Sequence, residues 1–433
     1  MNYPFWDIPF IGGGMLIGFV AIIHTFVAQF AIGGGLFLVL TERKAYRENN
    51  PKIIDYLKIH SKFFILLTLV FGALTGVAIW FTIGLVTPMA TSSLIHIFVW
   101  GWAIEWVFFF IEIAAAMIYY YTWDKLDRKT HIAIGWIYFI AAWMSLFVIN
   151  GILTFMLTPG DWLQTKSFWD GFFNPTMLPS LVIRTAVTIA LAGLYALLTS
   201  SFMKDDELRT TMIKYSSKWI LVPFFVLPFG GLWYVLSIPT LSFDIIAGGA
   251  PAITIFVALG VFFSVIIFIF AYFLPYRVPH RFSAALAFMF LMLGLFVMGV
   301  SEMVREAIRK PYIIYDYMYS NNVFKTEADK FKTAGILPSS KWTHVKSADD
   351  ANIMKAGEQV FKLQCQSCHT VQGYNGIKIL TKGWQEPFIE NQIEHLNQLK
   401  GFMPPFMGSE SEKKALAKWL YELNKTEQII RNQ

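Results

Sequence analysis

The sequence predicts an all-α polytopic membrane protein that crosses the bilayer about eight times and ends in a soluble domain. Of its 433 residues, 56% are hydrophobic and only 15% are charged, and the mean hydropathy is +0.51. Soluble domains do not carry that excess of apolar side chains. A membrane helix needs about 20 apolar residues, and eight stretches approach or exceed that length: 11–40, 63–86, 92–121, 132–157, 180–202, 219–237, 250–273 and 282–304.

Lysine and arginine indicate which connecting segments face the cytoplasm. Segments 42–62, 124–131, 203–218 and 274–282 contain six, three, four and two of them, whereas the alternate segments contain only Lys166. Since positively charged segments stay on the cytoplasmic side, both termini are expected on the opposite, outer side of the membrane. The net charge of +6 then reflects topology, and no nucleic-acid partner is expected. The opening residues MNYPFWDIPF lack the features of a cleaved signal peptide, so the first helix is expected to be retained.

Composition divides the chain into three regions. Residues 1–310 form the predicted membrane domain. Residues 311–350 are polar and mixed, as expected of an extracytoplasmic connector. Residues 351–433 return to the composition of a soluble domain, with amphipathic stretches such as SEKKALAKWLYELN.

The stretch QCQSCHT contains the pattern C-x-x-C-H at Cys365, Cys368 and His369. Two cysteines at this spacing form thioether bonds to heme vinyl groups, and the adjacent histidine reaches the iron. A redox dithiol or half of a zinc site is the alternative, but zinc requires more ligands and the chain has no further cysteines. One covalently attached heme c is therefore predicted, with His369 as an axial ligand.

The residues around this motif resemble a class I cytochrome c. AGEQVFKLQCQSCH places Gly357 and Phe361 at helical spacing before the motif, and GFMPPFMGSESEKKALAKWLYEL is similar to the methionine–proline loop and last helix of that family. The resemblance implies Met403 as the second axial ligand, with Met407 as the alternative and His395 as a more distant one. A methionine ligand raises the reduction potential. Heme of this kind is attached outside the cytoplasm, on the side predicted from lysine and arginine.

Ionisable side chains inside the predicted spans are costly and usually functional, and four of them stand out: His24, Glu105, Glu112 and Arg184. With a rise of about 1.5 Å per residue, His24 and Glu105 both lie roughly 20 Å from the outer surface. A histidine and a carboxylate at one depth can face each other across an iron. Glu112 is nearly two turns beyond Glu105 on the same helix face, as expected of a proton relay from the cytoplasm. Packing or a simple hydrogen bond is the alternative for each residue.

The last span ends in SEMVREAIRKPYIIYDY, which places Glu306 at the outer end of the helix. One interpretation is a surface ion pair with Arg305 or Arg309, which would contribute little stability. The other is that Glu306 ligates an iron. Glu302, one turn earlier, is the residue that could replace it in that role.

Several of these stretches resemble subunit I of the cytochrome bd-type oxygen reductases. HTFVAQFAIGGGLFLVLTER is similar to the first helix of that family, and HIFVWGWAIEWVFFFIEIAAA with YYYTWDKLDRKTH to its third. GALTGVAIWF and VINGILTFMLTPG are similar to its second and fourth helices, and EAIRKPY to its E-x-G-R-Q-P-W signature. The resemblance implies two b- or d-type hemes in a four-helix core.

The resemblance also implies a role for each ionisable side chain. His24 corresponds to a heme axial ligand with Glu105 near its other face, and Glu306 to the ligand of a second, high-spin heme. Glu105 and Glu112 correspond to residues that carry protons to the site of oxygen reduction. Arg309 corresponds to a residue that holds heme propionates by paired hydrogen bonds.

Three features depart from the family pattern. Arg184 stands in LVIRTAV where the family has a heme-ligating histidine, and arginine does not ligate iron. Its expected partner is a heme propionate or a buried carboxylate. SIPTLSFDIIAGGAP replaces the long quinol-binding loop between helices 6 and 7. His96 replaces a family aspartate, and its alternatives are a propionate, an iron or a simple hydrogen bond.

Together these features predict a bd-like terminal oxidase that reduces O₂ to water with electrons from a periplasmic c-type cytochrome rather than quinol. The family resemblance implies a bacterial inner membrane, with both termini on its periplasmic side, and a second integral-membrane subunit, or a related copy, as a partner. One alternative is a membrane cytochrome that passes electrons between quinone, or a larger respiratory complex, and periplasmic cytochromes without reducing oxygen. A transporter or scaffold with an attached cytochrome is disfavoured, because the sequence shows no broken, repeated helices.

Overall fold

The computed structural model of the chain describes residues 3–4 and 6–431. Within that range, eight helices are long and apolar enough to cross a membrane, which confirms the predicted all-α polytopic fold. They are α1 (Gly13–Arg47), α2 (Pro51–Val86), α3 (Val99–Tyr121), α4 (Arg128–Phe155), α5 (Met177–Ser201), α6 (Asp206–Ser237), α7 (Pro251–Tyr276) and α8 (Ala284–Ala307).

Helix boundaries differ from the prediction where polar residues extend a helix beyond its apolar part. α2 begins at Pro51 rather than at residue 63, because the Asn50 side chain caps it by accepting a hydrogen bond from the Lys52 amide at 3.1 Å. Proline is also favourable at the first helical position. The segment 42–62, predicted as a basic connecting segment, is thus mostly helical. Hydropathy reports only the apolar part of a helix, so its polar ends escape detection.

Two irregularities interrupt the regular helices. A helix over Pro88–Ile97 ends before Phe98, whose backbone is non-helical (φ −116°, ψ 35°), and α3 begins after it. The predicted span 92–121 is therefore two helices, and His96 and Glu105 lie on different ones. In α2, residues Leu66–Gly72 form a π-helical turn, a feature often found at functional sites.

The chain divides into two compact units, of which one contains residues 21–78 and 98–305. In this unit α1 approaches α5 closely at Gly33, where an added Cβ would lie 1.8 Å from the Thr188 carbonyl oxygen. Only glycine permits that approach of two backbones. This part of the glycine-rich sequence therefore serves a contact inside the chain.

The other unit contains residues 1–20, 79–97 and 306–433. Its C-terminal part has a small antiparallel sheet of β1 (Tyr312–Ile314) and β2 (Met318–Tyr319). The α-helices of this C-terminal part are α9 (Ala328–Ala334), α10 (Ile353–Gln364), α11 (Ile377–Leu380), α12 (Glu386–Glu394), α13 (Leu396–Leu399) and α14 (Glu410–Arg431). α10 crosses α14 at Gly357, where an added Cβ would lie 2.1 Å from the Ala415 carbonyl oxygen.

One hydrophobic core includes residues from both the predicted connector and the predicted soluble domain. Val323, Phe331 and Leu337 are buried in the same core as residues of α10 and α14. The Glu412 carboxylate on α14 accepts hydrogen bonds from the Ile336 and Leu337 amides at 2.9 and 2.8 Å. The boundaries at residues 311 and 351 stay a prediction from composition, and the two stretches share one core.

Candidate functional site

The predicted heme c site lies at the end of α10. In the turn after the helix, the Cys368 and His369 amides donate to the Cys365 carbonyl at 3.1 and 2.9 Å. Both thiols are free and half-buried. Burial raises the pKa of the Cys365 thiol to about 12, whereas redox dithiols work with a lowered pKa. This environment disfavours the redox-dithiol alternative.

The His369 imidazole is oriented by the loop that follows it. His369 Nδ1 donates to the Asn375 carbonyl at 3.0 Å, and Asn375 Nδ2 donates to the Cys368 carbonyl at 2.9 Å. A hydrogen bond at Nδ1 leaves the Nε2 lone pair for a metal, as in most metal-binding histidines. Burial lowers the pKa of His369, which favours the neutral form that binds metals. The two thiols and this imidazole fit a covalently attached heme.

The candidate methionine ligands have different surroundings. The Met407 side chain is buried in the domain core, and its backbone forms two hydrogen bonds with the Gln364 side chain, at 2.7 and 2.9 Å. Met403 is only half-buried. The third candidate, His395, bonds through Nδ1 to the Asn391 carbonyl at 2.9 Å. The burial of Met407 favours Met403 as the second axial ligand, which stays a prediction.

His24 on α1 contacts α2 just after its π-helical turn. His24 Nδ1 lies 3.2 Å from Thr75 Oγ1, whose own hydrogen points to the carbonyls of Phe71 and Gly72, each at 3.0 Å. The threonine oxygen therefore accepts from Nδ1–H, which leaves the lone pair on Nε2. An added Cβ at Gly76 would lie 3.3 Å from the His24 ring, so glycine gives the imidazole space. The oriented ring fits the predicted role of heme ligand, a role that stays a prediction.

Glu105 and Glu112 on α3 each accept a hydrogen bond from α4. Ser145 Oγ donates to Glu105 at 2.9 Å, and the Tyr138 hydroxyl donates to Glu112 at 3.2 Å. The two donors are seven residues apart, as are the two carboxylates, so both pairs lie along one face of two antiparallel helices. This placement supports the predicted relay. Among the described residues, no three His, Cys, Asp or Glu side chains are grouped to hold a free metal ion.

Two glutamates near the end of α8 form different ion pairs. The buried Glu302 carboxylate accepts from Arg305 Nε and Nη2 at 2.9 and 2.5 Å. Glu306 is 44% exposed and pairs with the buried side chain of Arg309 and with Lys310, the latter at 3.6 Å. The ion pair considered from sequence is therefore present, and iron ligation by Glu306 stays a prediction.

Arg184 on α5 begins a polar chain that reaches α4. Its Nε donates to Ser180 Oγ at 3.3 Å, and Ser180 donates to Asn150 Oδ1 at 2.7 Å. Asn150 Nδ2 then donates to the Met177 carbonyl at 2.8 Å. The two partners expected for Arg184, a heme propionate and a buried carboxylate, stay predictions.

His96 forms a hydrogen bond within its own helix. The exposed ring bonds through Nδ1 to the Ser92 carbonyl at 2.7 Å. This bond involves Nδ1 and leaves Nε2, so the three roles expected for His96, a propionate contact, iron ligation or a simple hydrogen bond, stay predictions.

Sequence reasoning missed a buried polar cluster where α1 and α3 end and α4 begins. The fully buried Glu42 carboxylate accepts from His131 Nδ1 at 2.9 Å and from the Tyr119 hydroxyl at 2.7 Å. His131 Nε2 faces the Tyr119 carbonyl at 2.9 Å. Glu42 and His131 fell in the segments 42–62 and 124–131, whose charge predicted exposure. The signal in the sequence that could have indicated this cluster was a carboxylate and a histidine placed at helix ends among many lysines and arginines.

Comparison with known proteins relates these features to two families. The family model "Cytochrome bd terminal oxidase subunit I" matches residues 15–234, just over half of the chain. The model "Cytochrome C oxidase, cbb3-type, subunit III" matches residues 352–420. Among solved structures, the bd oxidase from Geobacillus thermodenitrificans has a similar fold, with a TM-score of 0.56 and 17% identity over 70% of this chain and 87% of that chain. A comparison with curated proteins found no significant match.

Proposed function

Because the chain belongs to the cytochrome bd terminal oxidase subunit I family and carries a C-terminal cytochrome c domain, we propose that it reduces O₂ to water with electrons from a periplasmic c-type cytochrome. At the coarser level, the family and the eight helices make it an oxidoreductase of respiratory electron transfer in a bacterial membrane. The observation that carries the proposal is the oriented His369 site, which lies on the same chain as an oxidase fold.

The short segment between α6 and α7 supports cytochrome rather than quinol as the donor. Only residues 238–250 connect these two helices. A segment of this length cannot form the long quinol-binding loop that characterises the family, as the sequence already indicated. An attached cytochrome c domain offers electrons another route into the protein.

The residues proposed to hold hemes form two sets. In the C-terminal domain, one heme c is held by Cys365, Cys368, His369 and Met403. In the membrane core, two b- or d-type hemes are held by His24 and Glu306, with Glu105 near the first and Arg309 at a propionate of the second. When bound, these groups supply one-electron redox chemistry and an iron position for O₂.

The protons consumed with oxygen are proposed to move along α3. Glu112 accepts a proton from the cytoplasmic side, and Glu105 passes it toward the reaction site. Seven residues of helix separate the two carboxylates by about 10 Å, so at least one water must bridge them. Tyr138 and Ser145 hold the two carboxylates along this path by the hydrogen bonds described above.

A second candidate function is electron transfer between quinone, or a larger respiratory complex, and periplasmic cytochromes without oxygen reduction. The ion pairs of Glu306 with Arg309 and Lys310 favour it. A carboxylate held in this way is less available to an iron, and without that ligand the second membrane heme loses its proposed site.

Spectra and oxygen uptake of the purified protein test the proposal. We expect pyridine hemochrome spectra to show covalent heme c together with non-covalent heme, and CO to change the spectrum of the reduced membrane hemes. Oxygen uptake should be supported by a reduced c-type cytochrome and not by quinol. Heme c without a CO-reactive membrane heme would exclude oxygen reduction and leave the second candidate.

A variant without heme c tests separately whether electrons enter through the cytochrome c domain and whether the membrane hemes react with oxygen. Cys365→Ala combined with Cys368→Ala should remove heme c and abolish cytochrome-driven oxygen uptake. CO binding, and oxygen uptake with a small artificial reductant, should remain. Undiminished cytochrome-driven uptake in this variant would show that electrons enter elsewhere.

A further inference from the structure

The residues before the first membrane helix form an ordered segment, Trp6–Gly12, here named the N-terminal strap. The Trp6 amide donates to the Leu85 carbonyl near the end of α2 at 2.9 Å. The Trp6 ring packs edge-on against Phe81 with 5.9 Å between ring centroids. The Gly12 amide donates to the Ile8 carbonyl at 3.0 Å, which turns the strap into α1. The strap is thus fixed at the end of α2.

The strap also contacts the loop that carries the heme-binding histidine, residues 369–376, here named the histidine loop. The Tyr374 amide donates to the Phe10 carbonyl at 2.7 Å. At Gly373, an added Cβ would lie 1.9 Å from the Phe10 oxygen and 2.5 Å from its carbonyl carbon. Only glycine allows two backbones to come this close. The contact therefore depends on the absence of a side chain at residue 373.

Bonds inside the histidine loop connect this contact to the His369 imidazole. The Tyr374 carbonyl accepts from Thr370 Oγ1 at 2.9 Å. The next carbonyl, that of Asn375, accepts from His369 Nδ1 at 3.0 Å. The peptide group before Tyr374 is thus fixed by the strap, the one after it by Thr370, and the next one by the imidazole. A displaced Tyr374 would shift the acceptor that orients His369.

The strap and the C-terminal domain also line a cavity of about 180 Å³, to which the strap contributes Trp6, Asp7 and Pro9 and the domain Lys362, Gln366 and His369. His369 therefore lies at a boundary that the strap helps to form. The Phe10–Tyr374 hydrogen bond and the close approach at Gly373 are the contacts that a substitution can break.

We propose that the N-terminal strap is the docking site of the cytochrome c domain on its own membrane anchor, with Gly373 as a positioning residue for His369. The docked domain receives electrons in one fixed place and is not a mobile carrier on a tether. The strap also contributes to the reduction potential of heme c, because the hydrogen bond at Nδ1 changes the basicity of the axial imidazole. This inference rests on the proposed binding of heme c at His369, and not on oxygen reduction.

Gly373→Val in the full chain is the main test, with Gly84→Ala as the matched control, since nothing lies within 4 Å of an added Cβ at Gly84. Amide hydrogen exchange is measured over the strap and the histidine loop, and the midpoint potential of heme c by redox titration. In Gly373→Val we expect exchange in both segments to rise at least about tenfold and the heme c potential to shift. The control should match the wild-type protein in both measurements.

Trp6→Ala provides a second variant that adds no bulk to the C-terminal domain. It loosens the strap from Phe81, so exchange at the histidine loop should rise although the substitution is remote in sequence. If Gly373→Val fails to attach heme, this variant decides alone. Wild-type exchange at the histidine loop in Trp6→Ala and in any heme-loaded Gly373→Val would overturn the docking proposal. The expected exchange differences in a protein whose wild-type form reduces no oxygen would instead count against the proposed function and leave the docking proposal intact.

Discussion

At the scale of single residues, the histidine loop shows how a backbone conformation orients the imidazole that we propose as a heme ligand. Asn375 has a left-handed backbone (φ 51°), and its carbonyl accepts from His369 Nδ1. Asparagine tolerates this conformation better than most side chains do. The side-chain amide of Asn375 also donates a hydrogen bond to the Cys368 carbonyl. One residue therefore fixes both the turn and the direction of the imidazole.

Replacing Asn375 by alanine or glycine separates these two roles. Both variants lose the bond to Cys368, but only alanine is strained at positive φ. After allowing for the greater entropy of glycine in the unfolded chain, Asn375→Ala should be less stable than Asn375→Gly by about 0.5–1 kcal/mol. Denaturant unfolding followed by heme c absorbance measures the difference. Equal or reversed stabilities would show that backbone strain at residue 375 has no measurable cost.

Glu112→Gln tests the proton path at one residue. The amide has the same shape but cannot carry a proton, so we expect the rate of oxygen uptake to fall on the order of 10²-fold with unchanged heme spectra. Tyr138→Phe keeps the carboxyl and removes only its hydroxyl partner, so the rate should fall less than about tenfold. Wild-type turnover in Glu112→Gln would exclude this carboxyl from the path.

At the scale of helices, polar contacts between neighbouring helices bring together charged groups that the sequence keeps apart. α1 contributes Glu42, α3 contributes Tyr119 and α4 contributes His131 to one cluster. The two ring nitrogens of His131 face the Glu42 carboxylate and the Tyr119 carbonyl, so this side chain contacts both neighbouring helices. A buried pair of this kind fixes how three helix ends meet.

Glu42→Ala should destabilise the protein on the order of 3 kcal/mol, because it leaves His131 buried without its partner. Asp124→Ala is the control, since it breaks only an exposed pair with Lys58 at 2.7 Å and should cost less than about 1 kcal/mol. Thermal unfolding in detergent compares the two. In a double-mutant cycle, Glu42→Ala and His131→Ala should couple by at least about 1 kcal/mol. Additive effects would contradict a direct pair.

The number of spans was predictable from sequence because an apolar stretch of about 20 residues matches the thickness of a bilayer. The start of α2 was not predictable from sequence, because it depends on the capping side chain of Asn50, which hydropathy does not report. The pattern at Cys365, Cys368 and His369 was visible because the chemistry requires neighbours in sequence. The hydrogen bond from His369 to the Asn375 carbonyl and the contact of Phe10 with Gly373 were not predictable, because they depend on the folded path of the backbone.

At the scale of the whole molecule, three separate stretches of the chain make up the unit that holds the C-terminal domain. Glu412 on α14 connects two parts of the C-terminal domain. The buried Glu412 carboxylate accepts hydrogen bonds from the backbone amides of Ile336, Leu337 and Ser409. The first two belong to the stretch predicted as a connector. The connector thus contributes stability to the cytochrome c domain and does more than span a distance.

Glu412→Ala in the full chain should destabilise the C-terminal domain by about 3 kcal/mol, because buried amides left without an acceptor each cost about 1–3 kcal/mol. Glu410→Ala is the matched control, since Glu410 is exposed and its partner Lys413, at 3.0 Å, keeps its second ion pair with Glu394. Its cost should stay below about 1 kcal/mol. Urea midpoints from heme c absorbance compare the variants, and equal midpoints would contradict the role given to Glu412.

The hydrogen bond between Phe10 and Tyr374 also has a consequence for biosynthesis. A ribosome makes the strap before any of the eight spans, and Tyr374 only after all of them. The histidine loop therefore does not yet exist while the membrane domain is being inserted. The hydrogen bond between Phe10 and Tyr374 forms among the last events of assembly, and protection of the Tyr374 amide from exchange marks a chain in which it has formed.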